Sequence, residues 1–82
     1  MPDAFADIKA ELERARSLFP PMRSAHEAWA IIDEEAEELK REVYHGVPAE
    51  RMARMREEAV QLAAMAIRLI QDCIDNPPNK RA

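Results

Sequence analysis

The sequence predicts an all-α fold: an N-terminal helix followed by a helical hairpin, with a four-helix-bundle-like core completed by oligomerisation. Three observations carry this expectation. The chain has one glycine and abundant Ala, Leu, Glu, Arg and Met, so helix propensity is high almost throughout. Apolar residues recur in alternating steps of three and four, the spacing of one face of a helix. The prolines fall at the boundaries between those periodic stretches, where the backbone has to leave the helix.

The first helix is expected to start after Asp3, a good N-cap, and to bury the seam Phe5, Ile8, Leu12, Ala15 and Phe19. Pro20-Pro21 ends it, because neither proline donates a backbone hydrogen bond. Ser24 caps the second helix, and Glu27 three residues later completes a capping-box pattern. On that helix Trp29, Ile32, Ala36, Leu39 and Val43 form one apolar stripe. Ile31, Glu35, Glu38, Glu42 and His45 form another about 100° round. Trp29 is therefore assigned to the core, and His26 to the solvent-facing first turn. Gly46 sits where a helix C-terminus favours a left-handed residue, and Pro48 suits the first turn of the next helix.

The third helix is predicted from Pro48 to Asp75, roughly 40 Å at 1.5 Å per residue. Its apolar face holds Met52, Met55, Ala59, Leu62, Ala66, Leu69 and Cys73, widened by Val60, Ala63, Ile67, Ile70 and Ile74. One neighbouring helix cannot cover so broad a face, so a homodimer or homotetramer is expected. Residues 1–75 form a single domain, and 76–82 a loose tail without apolar periodicity.

Bulk properties exclude several classes of function. With 82 residues the chain makes one small domain, which buries only roughly 60% of its unfolded surface and gains from self-association. A net charge of -4 provides no footprint for a nucleic-acid polymer, although a single nucleotide held through a cation is compatible with it. No apolar run approaches the roughly 18 residues of a membrane span, and Asp3 and Asp7 replace the basic start of a signal peptide. The lone Cys73 cannot form an internal disulfide and reads as a small buried hydrophobe, which fits a reducing, cytoplasmic setting.

Two polar motifs carry the chemistry. Glu34-Glu35-Ala36-Glu37-Glu38 and Glu58-Ala59-Val60-Gln61 are centred on Val47-Pro48, so antiparallel helices would bring Glu35, Glu38, Glu58 and Gln61 to one level. Residues three apart are neighbours on a helix surface. Carboxylate and carboxamide oxygens suit a hard divalent cation such as Mg²⁺ or Mn²⁺, whereas thiol- and imidazole-seeking metals are poorly served. The ordinary alternative is that a Glu-rich helix face is solvated surface. The matched levels of the two motifs, and the closeness of the acidic stripe to the apolar seam, weigh against it.

Glu34-Glu35-x-x-Glu38 followed, after residues 39–57, by Glu58-x-x-Gln61 resembles the signature of the MazG-like, all-α nucleoside triphosphate pyrophosphohydrolase superfamily. The likeness covers the second and third helices. It implies Mg²⁺ bound by Glu35, Glu38 and Glu58, with Gln61 in the place of the family's aspartate. It also implies cleavage of a (d)NTP to the monophosphate and pyrophosphate, with Glu34 orienting water or a neighbouring group. Gln61 departs from the pattern because a carboxamide carries no charge. The alternatives are a nucleotide- or metal-binding homologue with weakened catalysis and a structural helical oligomerisation module.

Arg54 and Arg68 lie on the face that bears Glu58 and Gln61, together with Met65 and Asp72, and are candidate phosphate ligands. Ordinary surface ion pairs are the competing reading. His45 ends the acidic stripe and is a further candidate substrate contact, although the helix dipole alone explains a histidine there. The methionines read as adaptable core filler.

Overall fold

A computed structural model describes residues 1–80 and contains three helices, α1 (Ala4–Leu18), α2 (Ala25–His45) and α3 (Arg51–Leu69). The chain continues from α3 as a π-helical turn, Ile70–Asp75, and ends in a short 3₁₀ turn, Pro78–Lys80. Among the described residues there is no strand, and no helix is long and apolar enough to cross a membrane. The all-α expectation is met, with α2 and α3 packed as a hairpin and α1 laid against α3. Of the expected tail, residues 81 and 82 lie outside the described residues.

Both predicted N-caps form. Asp3 Oδ1 accepts from the Ala6 amide at 3.2 Å, and Ser24 Oγ accepts from the Glu27 amide at 3.1 Å. The Glu27 carboxylate does not complete a reciprocal box and instead pairs with Arg23 at 3.1 Å. The turn into α3 differs from expectation. Pro48 lies in a turn outside the helix, which starts at Arg51, and the Glu50 amide donates to the Val47 carbonyl at 2.9 Å. Gly46 is extended, with φ -64° and ψ 148°, so it supplies space rather than a left-handed cap. A Cβ there would sit 2.5 Å from the Glu42 carbonyl oxygen and 2.9 Å from Glu42 Oε2.

The largest correction concerns which faces point inward. In α2 the buried line runs through Ala28, Ile32, Glu35, Leu39 and Glu42, in steps of four, three, four and three. It passes between the apolar and acidic stripes, and so leaves Trp29 61% exposed and Val43 exposed. In α3 the line is Glu58, Gln61, Met65 and Arg68, continued by Asp72 in the π-helical turn, with Ala64 beside it, while of the predicted apolar face Met52, Ala59 and Ala66 are exposed and Met55, Leu62, Leu69 and Cys73 half-buried. α1 buries Ala15 and half-buries Ile8 and Leu12, but leaves Phe5 and Phe19 at the surface. Polar groups thus share the interior with apolar ones, and part of the apolar surface, Trp29, Val43 and Met52 among it, faces outward.

The cause is visible at the other end of α3. Asp72, only 5% exposed, accepts from the Met22 amide at 2.9 Å and pairs with Arg16 at 3.1 Å. Arg68, 4% exposed, donates to the Pro20 carbonyl at 3.0 Å. These groups fasten the Pro20-Pro21 corner to α3, and Met22 is driven to complete burial beneath them. The hydrophobic centre is consequently small: Ala15, Met22, Ala28, Ala64 and Met65, with Ile8, Leu12, Ile31, Ile32, Leu69 and Cys73 around it. The radius of gyration, 14.0 Å, exceeds the roughly 12 Å of a compact chain of this length, as an open assembly of helices requires.

Asp72→Ala removes a buried acceptor and leaves Arg16 without its anion. We expect a loss of about 2–4 kcal/mol in chemical denaturation, most of a small domain's margin. Arg23→Ala, at an exposed pair, should change stability by less than about 0.5 kcal/mol.

Candidate metal centre

The α2–α3 hairpin places Glu35 and Glu38 against Glu58, and one carboxylate oxygen from each lies within 4.8 Å of the other two. All three side chains are half-buried, because the inward line of each helix runs through them. Gln61, one turn beyond Glu58, closes the group. Assigned from its hydrogen bonds, its amide nitrogen donates to Glu35 Oε2 at 3.1 Å and to Glu58 Oε2 at 3.3 Å. The four residues selected from the two motifs therefore meet at one level.

Crowding three carboxylates has an electrostatic cost that the protein meets by holding protons. Burial, then a hydrogen bond with Glu38 and repulsion from Glu38, Glu35 and Glu57, pushes the Glu58 carboxyl up to about 7. Glu35 is raised as well, first by burial and then by the charges of Glu38, Glu34 and Glu11. Protonation and the Gln61 amide are thus two local substitutes for positive charge. A divalent cation would be a third, and three carboxylates without sulfur or imidazole are chemically suited to a hard ion of the Mg²⁺ or Mn²⁺ kind.

The other candidate residues are dispersed. Glu34 is exposed beside Glu35. Arg54 is exposed near the start of α3 and pairs with Glu50 at 3.0 Å. His45 is exposed in the last turn of α2, on an outer hollow with Lys40 and Tyr44. Arg68 lies about two turns beyond Gln61 and is buried in the subunit. Two residues that the motifs did not single out come from α1. Glu11 and Arg14 join at 2.8 Å, and Glu11 adds to the negative charge felt by Glu35. Their sequence signal is an ordinary pair three residues apart, and only the docking of α1 brings them near the acidic group.

Compared with models of known families, with curated proteins and with solved structures, the chain matches none.

The raised Glu58 carboxyl fixes the sign of a pH effect. Its folded value lies above its unfolded one, so between about 4.5 and 7 the folded chain holds a proton that the unfolded chain has released. Stability is fully present below that window and is lost as pH rises through it. The metal-free protein should therefore melt about 5 °C higher at pH 5.5 than at pH 8, after allowance for solvent screening. Glu58→Gln should flatten this dependence, as differential scanning fluorimetry across pH would show.

Proposed function

We propose that the chain is a divalent-cation-dependent nucleoside triphosphate pyrophosphohydrolase, which converts a (d)NTP to its monophosphate and pyrophosphate. The convergence of Glu35, Glu38 and Glu58 at one level of the α2–α3 hairpin is the observation that carries this reading. The motif resemblance supplies the reaction. Glu35, Glu38 and Glu58 hold Mg²⁺, with Mn²⁺ as a substitute, and Gln61 offers its carboxamide oxygen when its side chain turns. A bound cation supplies charge neutralisation for phosphate oxygens and a lowered pKa for water. Glu34, solvent-facing beside the cluster, orients the attacking water. Arg68, Arg54 and His45 are assigned to the substrate, Arg68 foremost because it lies along the same face of α3 as the cluster.

One observation favours a second reading. The Gln61 amide donates to two of the carboxylates, so the uncharged fourth position competes with the cation instead of helping to bind it. A nucleotide- or metal-binding protein with little turnover would result. Under either reading the exposed Trp29, Val43, Met52, Ile70 and Ile74 support assembly into a homodimer or homotetramer, and the lone Cys73 suits a cytoplasmic setting.

A pyrophosphate-release screen over the common nucleotides, with Mg²⁺ and with Mn²⁺, separates the two. Hydrolysis requires release that falls on the order of 10²-fold or more in Glu38→Ala and rises in Gln61→Asp. Nucleotide-dependent thermal stabilisation without release identifies the binding protein, and neither effect would sink both readings.

A further inference from the structure

A cavity of about 310 Å³ opens between the end of α1 and the facing walls of α2 and α3. Glu35 and Gln61 form one end of it, so it is continuous with the carboxylate cluster. Its flanks are apolar: Ile31 from α2, Met65 from α3 and, at the α1 corner, Phe19, which is 56% exposed. Arg68 is the buried cation of its lining.

The state of Arg68 sets this cavity apart from a packing fault. One terminal nitrogen donates to the Pro20 carbonyl at 3.0 Å, and the other meets the weak acceptor Sδ of Met65 at 3.5 Å. Among the described residues its Nε–H has no acceptor and no carboxylate pairs with it. A buried donor left unsatisfied costs about 1–3 kcal/mol, more when charged, so a small turn of the side chain toward an acceptor in the cavity it lines would be favourable.

We propose that this cavity seats the nucleobase of the substrate, and that Arg68 selects bases presenting a carbonyl oxygen. The inference rests on the nucleotide reading given above and adds the position and the preference of the base. The volume lies at the lower end of ligand pockets, room for a ring and part of a sugar but not for a whole nucleotide. A polyphosphate belongs at the cation, because Arg14 of the wall is already paired with Glu11 and Glu35 closes the near end, whereas a flat ring suits Ile31, Met65 and the side of Phe19. Arg68 follows Gln61 by seven residues, so it sits on the same helical face about 10 Å along the axis, the interval for a sugar to bridge. A guanidinium only donates. Guanine, cytosine, uracil and thymine offer it a carbonyl oxygen, but adenine sets an amino donor beside its ring acceptor.

The test is calorimetric titration of GMP, CMP, UMP and AMP into the full chain, a readout that needs no turnover. We expect at least one of the three carbonyl-bearing nucleotides to bind about tenfold or more tightly than AMP. Ile31→Trp, which fills the cavity, should lower that affinity at least tenfold while Mn²⁺ titration of the carboxylates stays unchanged. Arg68→Met, which removes the donors at similar length, should erase the discrimination against AMP. Should Arg68→Met fail to fold, Ile31→Trp and Phe19→Ala carry the test, each lowering the affinity of the carbonyl-bearing nucleotides. AMP binding as tightly as the others, unaltered binding in Ile31→Trp, or no binding by any of the four overturns the seat. Ordered binding of monophosphates without pyrophosphate release would keep the seat and remove the hydrolase. Release with an unchanged KM in Ile31→Trp would do the reverse.

Discussion

Everything in this fold hangs on how the Pro20-Pro21 corner is fastened to α3 and the turn that follows it. Two consecutive prolines cannot join a helix or supply amide hydrogens, so the corner needs partners from elsewhere. Asp72 provides one through the Met22 amide, and Arg68 provides another through the Pro20 carbonyl. Both residues lie on a single line of α3, together with Glu58, Gln61 and Met65. Once the corner claims that line for the interior, the rotation of α3 about its own axis is settled. Gln61 two turns before Arg68, and Glu58 nearly three turns before it, are then turned inward as well.

That rotation explains why the molecule has a modest core and a polar seam. A helix that turns Glu58, Gln61 and Arg68 inward leaves only part of its broad apolar face, Leu69 and Cys73 at its far end, packed on the core. The half-burial of Glu35 and Glu58, beside the charge of Glu38, raises their proton affinity. Burial here gives up stability in exchange for chemical potential, the usual bargain at sites that bind ions or move protons.

Much of the fold was legible in the sequence. Asp3 and Ser24 act locally on amides a few residues away, so short-range capping rules suffice for them. The level match of the two Glu motifs was legible too, since it depends only on the length of the hairpin. Helix rotation was not. Trp29 and Ala28 differ by 100° round α2, and apolarity favoured the tryptophan, yet the buried position went to the alanine. The deciding contacts, Asp72 to Met22 and Arg68 to Pro20, span 50 and 48 residues, and no periodicity within one helix encodes them. The roles of Glu11 and Arg14 were hidden for the same reason, because they exist only once α1 is docked.

The extended glycine between α2 and α3 has a consequence for how such a chain can change over generations. Gly46 lets the backbone leave α2 in close contact with Glu42, and the Arg51 guanidinium binds its carbonyl at 3.0 Å, so the corner has a defined length. A residue added inside either helix, between this turn and an acidic motif, would shift that motif by about 1.5 Å and about 100° while the Arg68 and Asp72 contacts hold the far end in place. Glu58 would then leave the level of Glu38 although no residue of the cluster had been altered. The spacing from the turn to the two motifs is thus a ruler: insertions there would disperse the acidic cluster sooner than substitutions elsewhere in the flanking helices.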